Sequence, residues 1–174
     1  MNRVGNGNRY LPASEDAVQS PGHAAIERAL TQLSLQYTHW VDSGQGSRLA
    51  SLFTEDGCFD AGGVRMVGQQ ELRRGFAIRE GRRDLLTRHV CTNMLFEIHD
   101  DRRASGVIYL TLYRASVPEA AELPVEFSGP AVVGTYHDDY ARVGDAWLIR
   151  SRQARLAFVS PDDVTWSLDD DPEG

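Results

Sequence analysis

Apolar positions in the first quarter of the chain recur at helical spacing. Ile26, Leu30, Leu33, Tyr37 and Val41 form one stripe, the mark of a helix with a single buried face. The helix starts near Pro21 to His23, and Gly44 and Gly46 end it. Ser47 is placed to cap a short second helix that buries Leu49, Leu52 and Phe53. "TEDG" reads as a turn, and "CFDAGGVRMVG" as two short strands around Gly62 and Gly63. "QQELRRGFAIREG" is a third helix with Leu72 and Phe76 on one face.

Beyond that helix the period changes from helical to alternating. "TRHVCTNMLFEI" is a strand and "DDRR" its turn; "ASGVIYLTLYRASV" is a second long strand. A loop containing Pro118, Pro124 and Pro130 follows, and its stretch from Glu119 to Pro130 is expected to cover the mouth of any pocket. "AVVGTYHDDYARV" and "AWLIRSRQARLAFV", joined by "GD", complete a run of antiparallel strands. Helices followed by such strands predict an α+β domain with helices on one face of a curved sheet. A curved sheet closed on one side by helices forms a cone, whose concave interior is a natural small-molecule site.

Length and charge narrow the function. A chain of 174 residues suits one domain with tails: a flexible N-terminal arm over 1–21, a compact unit over 22–159, and an acidic C-terminal tail over 160–174 with "VTWSL" as a candidate docking segment. The net charge of -7 argues against a nucleic-acid or anionic-membrane surface, which needs a basic patch. Cys58 and Cys91 have no metal-ligand spacing, so a reduced, cytoplasmic protein is expected. The first twenty residues lack the apolar core of a signal peptide, and no run is long and apolar enough to span a membrane. Zinc-ligand spacing, a phosphate loop and a nucleophile elbow are all missing, so neither metal nor cofactor is expected.

Two groups are left to carry chemistry. Alternation puts Thr87, His89, Cys91, Asn93 and Leu95 on one side of the first long strand. His89 is then either a partly buried histidine bonded to a backbone carbonyl or the working group of a pocket wall. Asp42 lies about 140° around the helix from Tyr37, off the apolar stripe. Either it caps the glycine turn in water, or the helix passes between two surfaces, or its last turn bends. Tyr37 belongs to the core stripe, and its hydroxyl needs a partner that a pocket would supply. On the last two strands, Tyr136, Asp138, Tyr140 and Arg142 share a face, as do Arg150, Arg152 and Ala154; either an acidic substrate or an aspartate on the neighbouring strand would satisfy an arginine there.

The order of these motifs resembles the SnoaL-like branch of the nuclear transport factor 2-like superfamily. "YTHWVD" is similar to a segment of bile acid 7α-dehydratase, and "VDSGQGSRLAS" and "HVCTN" to segments of hexachlorocyclohexane dehydrochlorinase; scytalone dehydratase also resembles the chain, but Gln45 and "VIYLTLY" stand where that enzyme has other groups. The likeness runs from about Ala24 to Val159. It implies a cystatin-like α+β barrel, a cone of mixed or antiparallel strands around a pocket. It further implies an aspartate–histidine dyad of Asp42 and His89 with Tyr37 as the pocket tyrosine. The wall that meets substrate is expected to include Trp40, Phe59, Cys91, Asn93, Tyr109 and Tyr136. The implied activity is cofactor-independent elimination (a dehydratase) or proton-shift isomerisation of a small, largely apolar, cyclic or polyketide-like molecule. The implied assembly is a homo-oligomer, trimer before dimer. The alternatives in the superfamily are the small subunit of a ring-hydroxylating dioxygenase and a non-catalytic binding protein.

Overall fold

The computed structural model describes residues 21–118, 121–163, 165 and 167–170; the expected N-terminal arm, apart from Pro21, lies outside them. Helix α1 runs Pro21–Asp42, and a short 3-10 helix, Gly46–Leu52, leads into β1, Phe53–Ala61. A hairpin at Gly62 and Gly63, both at positive φ, joins β1 to β2, Val64–Val67. Helix α2 is Gly68–Gly81, and four long strands follow: β3 Leu85–Ile98, β4 Arg103–Ser116, β5 Val132–Val143 and β6 Ala146–Val159. The sheet order is β2-β1-β6-β5-β4-β3. Every pairing is antiparallel except β1 with β6, which is parallel. The fold is therefore α+β with a curved mixed sheet, as expected, but the sheet is not a closed barrel, because β2 and β3 are free edges.

The apolar stripe of α1 supplies one wall of the core. Leu30, Leu33, Tyr37 and Val41 are buried with Leu49, Phe53, Phe59, Met66, Leu72, Phe76 and Ile149. Tyr37 is the hub, with its ring about 6.3–6.4 Å from those of Phe53, Phe59, Phe76 and Tyr136. Buried aromatic area of this kind dominates core energetics. Gln69 anchors the start of α2, its amide donating to the carbonyls of Ala50, Phe53 and Thr54. Gly46 lets the 3-10 helix approach the backbone of α2 at Phe76, where a Cβ would collide.

Register shifts depart from simple alternation. "TEDG" is no turn: it lies within β1, where five steps from Phe53 to Cys58 span two steps of β6. In β3 an extra residue falls between Thr92 and Leu95, and Asn93 adopts φ 46°, the left-handed region that asparagine tolerates better than most residues. Before this bulge Leu85, Thr87, His89 and Cys91 face inward; after it Met94 and Phe96 pack on the core, while Asn93 and Leu95 are exposed. A third shift, in the β5–β6 ladder at Asp139 and Tyr140, puts Ile149 and Arg152 inside and leaves Arg150 in solvent.

The two ends of the β-rich half exchange expected roles. Phe127, in the loop before β5, packs its ring 5.9 Å from that of Tyr113, an outer-face residue of β4. None of the loop's described residues lines the central cavity, so this loop is not its cover. The segment after β6 takes that place: Ser160, Asp163 and Thr165 line the mouth, Leu168 packs on the core, and Asp170 pairs with Arg82 at 2.6 Å.

Candidate active site

Between α1, the β1–β2 hairpin and the inner face of the sheet lies a cavity of about 560 Å³, within the usual range for small-molecule sites. Tyr37, Phe59, Phe76, Arg79, His89, Leu110, Leu112, Arg114 and Tyr136 all contribute to its wall.

The end of α1 resolves the position of Asp42. The helix passes between two surfaces: its apolar stripe meets the aromatic core, while Ser34, Thr38 and Asp42, four residues apart, form a second row along its flank. Ser34 reaches Tyr140 and Arg152 of the inner sheet, and Asp42, at the end of the row, reaches β3. One carboxylate oxygen of Asp42 accepts from His89 Nδ1 at 2.6 Å and from the Thr87 hydroxyl at 2.8 Å; the other accepts from the His89 backbone N–H at 2.7 Å. The Asp42 and His89 side chains are 15% and 10% exposed, so both groups are largely withdrawn from solvent. Burial raises the Asp42 pKa, but the hydrogen bonds and charge of His89, with the Thr87 bond, outweigh it and hold the carboxyl below its ordinary range. An ionised carboxylate on Nδ1 places the ring proton there. Nε2 then keeps a lone pair, on a ring that forms part of the cavity wall.

Tyr37 and Tyr136 face the same cavity and are both 3% exposed. Burial raises both phenols well above the ordinary tyrosine value, so they stay protonated and can donate hydrogen bonds. No hydrogen bond joins either hydroxyl to a described residue. The Arg152 guanidinium lies against both rings, 4.4 Å and 4.5 Å from their centroids, an attractive cation–π geometry. Arg152 is held by Asp138 through two bonds, 3.0 Å and 2.6 Å, and Asp138 also accepts from Tyr140 at 2.6 Å. Burial opposes the guanidinium charge, and the Asp138 carboxylate more than restores it. The pairing of this arginine with the neighbouring strand is thus internal, beneath the cavity floor, rather than solvated.

Of the other expected wall residues, Phe59 and Tyr136 line the cavity. Cys91 faces inward but packs with Ile108, Leu110 and Val132 without lining it. Trp40 is half-buried away from the cavity, with the Arg48 guanidinium 4.1 Å over its ring. The β3 bulge turns Asn93 outward, and Tyr109, 44% exposed, lies on the outer face of β4. Neither of these two lines the cavity.

Simple pattern reading missed two residues. Arg79 is 7% exposed and lines the cavity. It donates to the Thr87 hydroxyl at 3.2 Å and, weakly, to the Arg82 carbonyl at 3.5 Å. Its signal was its place: Leu72, Phe76 and Arg79 follow helical spacing, so an arginine occupies the buried face of α2. Arg114, at the mouth, forms a two-bond ion pair with Asp163, at 3.0 Å and 2.6 Å.

Comparison with known proteins places this architecture. A model described as a SnoaL-like domain matches residues 23–153. The chain belongs to the SnoaL-like family. No curated protein matches it. Among solved structures, this SnoaL-like chain is similar to a scytalone dehydratase-like protein of Novosphingobium aromaticivorans, with 19% identity, a TM-score of 0.70, and 84% of this chain and 94% of that one covered. It is also similar to ActVI-ORFA from Streptomyces coelicolor, with 18% identity, a TM-score of 0.63, and 79% and 99% covered. A cystatin-like protein of unknown function from Nostoc punctiforme matches with 18% identity, a TM-score of 0.60, and 80% and 95% covered. At these identities the likeness concerns the fold. In the described residues no helix is long and apolar enough to cross a membrane.

Proposed function

We propose that this SnoaL-like protein catalyses elimination or proton-shift isomerisation of a small, largely apolar molecule, with His89 as general acid–base. One observation carries the reading: His89 Nδ1 lies 2.6 Å from an Asp42 carboxylate oxygen while the same ring forms part of the cavity wall. Asp42 fixes the tautomer and stabilises the imidazolium that forms when Nε2 takes a proton. In elimination, Nε2 removes a proton beside a carbonyl, the electron pair moves into the new double bond, and the leaving hydroxyl departs as water with the proton that Nε2 returns. In isomerisation the same nitrogen returns the proton to a different carbon. Tyr37, protonated and aimed at no described partner, donates to the carbonyl oxygen or to the leaving group. Acid–base catalysis of this kind contributes about 10²–10⁴-fold. Every proton movement is supplied by the chain's own residues.

The name of the Novosphingobium structure supports a dehydratase, and the aromatic wall of Tyr37, Phe59, Phe76 and Tyr136 favours a ring-shaped substrate. The test is a panel of cyclic β-hydroxy ketones, neutral and carboxylated, followed by the ultraviolet absorbance of the conjugated enone. Turnover of at least one compound, lost in H89Q, is expected; no turnover across the panel, or equal rates in H89Q, overturns the proposal. Val90, Tyr109, Tyr113, Phe127 and Phe158 expose apolar surface outside the site, which supports assembly as a homo-oligomer; the family resemblance puts trimer before dimer. Sedimentation velocity separates these states from a monomer.

A further inference from the structure

The cavity holds a cation that the proposed acid–base chemistry does not use. The Arg79 side chain projects from the buried face of α2 and is more than nine-tenths buried. Among the described residues it has no carboxylate partner. Its contacts are the Thr87 hydroxyl and the distant Arg82 carbonyl, both neutral. The Asp42 and Asp163 carboxylates are already engaged. Both oxygens of Asp42 are taken by His89 and Thr87, and both oxygens of Asp163 by Arg114. Asp60 also borders the cavity, but on the hairpin side, where it opens onto a groove of the outer sheet face. A guanidinium carries a planar fork of donors, so most of the Arg79 fork is unspent on protein. Burying such a charge without an anion is costly. Burial pushes the Arg79 pKa below its ordinary value; Tyr37 and the Asp42 carboxylate push back, the Arg114 and Arg82 guanidiniums push with the burial, and the net direction is down.

From this placement we infer that the cavity is an organic-acid site, in which Arg79 receives a carboxylate of the substrate. The inference deepens the proposed function, on which it rests for the word substrate; the binding site itself stands without it. Thr87 links the two halves. It accepts from Arg79 and donates to Asp42, so the anion pole adjoins the dyad and an acid anchored there keeps the rest of its skeleton against the aromatic wall. The ligand class is therefore an aromatic or alicyclic carboxylic acid. The carboxylate is the anchor and a carbon further along the skeleton meets Nε2.

Titration calorimetry with 2-naphthoate and its neutral isostere 2-naphthamide tests the assignment at pH 7.5. Wild type binds the acid at least tenfold more tightly than the amide, as a charge-assisted two-bond contact requires. R79Q brings the two affinities together, and R79K, which keeps the charge but not the fork, retains part of the preference. H89N keeps the full preference, so a failure of the catalytic reading leaves this result standing. Equal affinities in wild type, no saturable binding of 2-naphthoate, or a preference unchanged in R79Q would each overturn the inference. Circular dichroism checks that R79Q is folded; if it is not, the wild-type and R79K pair decides.

Discussion

Replacing Asp42 by asparagine changes few atoms and is expected to disable the site. The carboxylate accepts three hydrogen bonds, from His89 Nδ1, the His89 backbone N–H and the Thr87 hydroxyl. An amide offers one oxygen and one N–H₂. If its oxygen stays on Nδ1, the N–H₂ opposes the backbone N–H; if it flips, the N–H₂ meets Nδ1 and drives the proton to Nε2, the nitrogen that must act as base. The loss of a charge-assisted bond costs about 1.5–3 kcal/mol, or about 3–12 °C in Tm at about 2–4 °C per kcal/mol for a chain of this length. The loss of the base lowers kcat/KM by about 10²–10⁴. The assay is enone formation from the hydroxy ketone that the panel selects, with differential scanning calorimetry on the same preparations. D42N within tenfold of wild type in kcat/KM would refute the dyad; a large fall in Tm with unchanged rate would make Asp42 purely structural.

Three further outcomes follow from the electrostatics. The Asp42 carboxyl is held below its unfolded value of 3.8, so its stabilisation is fully present above that value and is lost as pH falls through the lower folded one; D42N should flatten the pH dependence of urea midpoints below pH 3.8, and an unchanged slope would contradict the burial of this charge. Burial pushes the Cys91 thiol up to about 11, so iodoacetamide labelling read by peptide mass spectrometry should be negligible at pH 8 and rise only as pH nears that value. R152M leaves the Asp138 charge buried without its cation, on the Tyr140 hydroxyl only, and should cost about 3–5 kcal/mol in urea unfolding, with R152M/D138N recovering much of it; equal stabilities of the single and double variants would refute the pairing.

Much of the fold is legible in the pattern of residues because it follows from regular periods. The stripe from Ile26 to Val41 and the alternation in β4 and β5 each map onto one buried face. Asp42 and His89 were legible as candidates, since alternation puts His89 in a small polar set on one side of its strand and helical spacing puts Asp42 off the apolar stripe. Their meeting was implied by the family resemblance and not by the residue pattern, because it depends on the flank of α1 formed by Ser34 and Thr38. Asn93 failed for a physical reason: one extra residue in β3 reverses every side chain after it, and only its left-handed backbone marks the spot. Arg150 was separated from Arg152 in the same way. The residues at the mouth after β6 were legible only as part of an acidic tail; their hold, Asp163 on Arg114 and Asp170 on Arg82, joins residues far apart in sequence. Arg79 was legible in retrospect, as a charge on an apolar helix face.

The central claim is that Asp42 fixes the proton of His89 on Nδ1 and leaves Nε2 free as a base. A long-range ¹H–¹⁵N correlation spectrum of the histidine-labelled protein with the ring neutral reads this directly, with H89Q used to assign the signal. The account predicts a neutral His89 imidazole protonated at Nδ1, with Nε2 showing the shift of an unprotonated nitrogen. A wild-type ring protonated at Nε2 would contradict it.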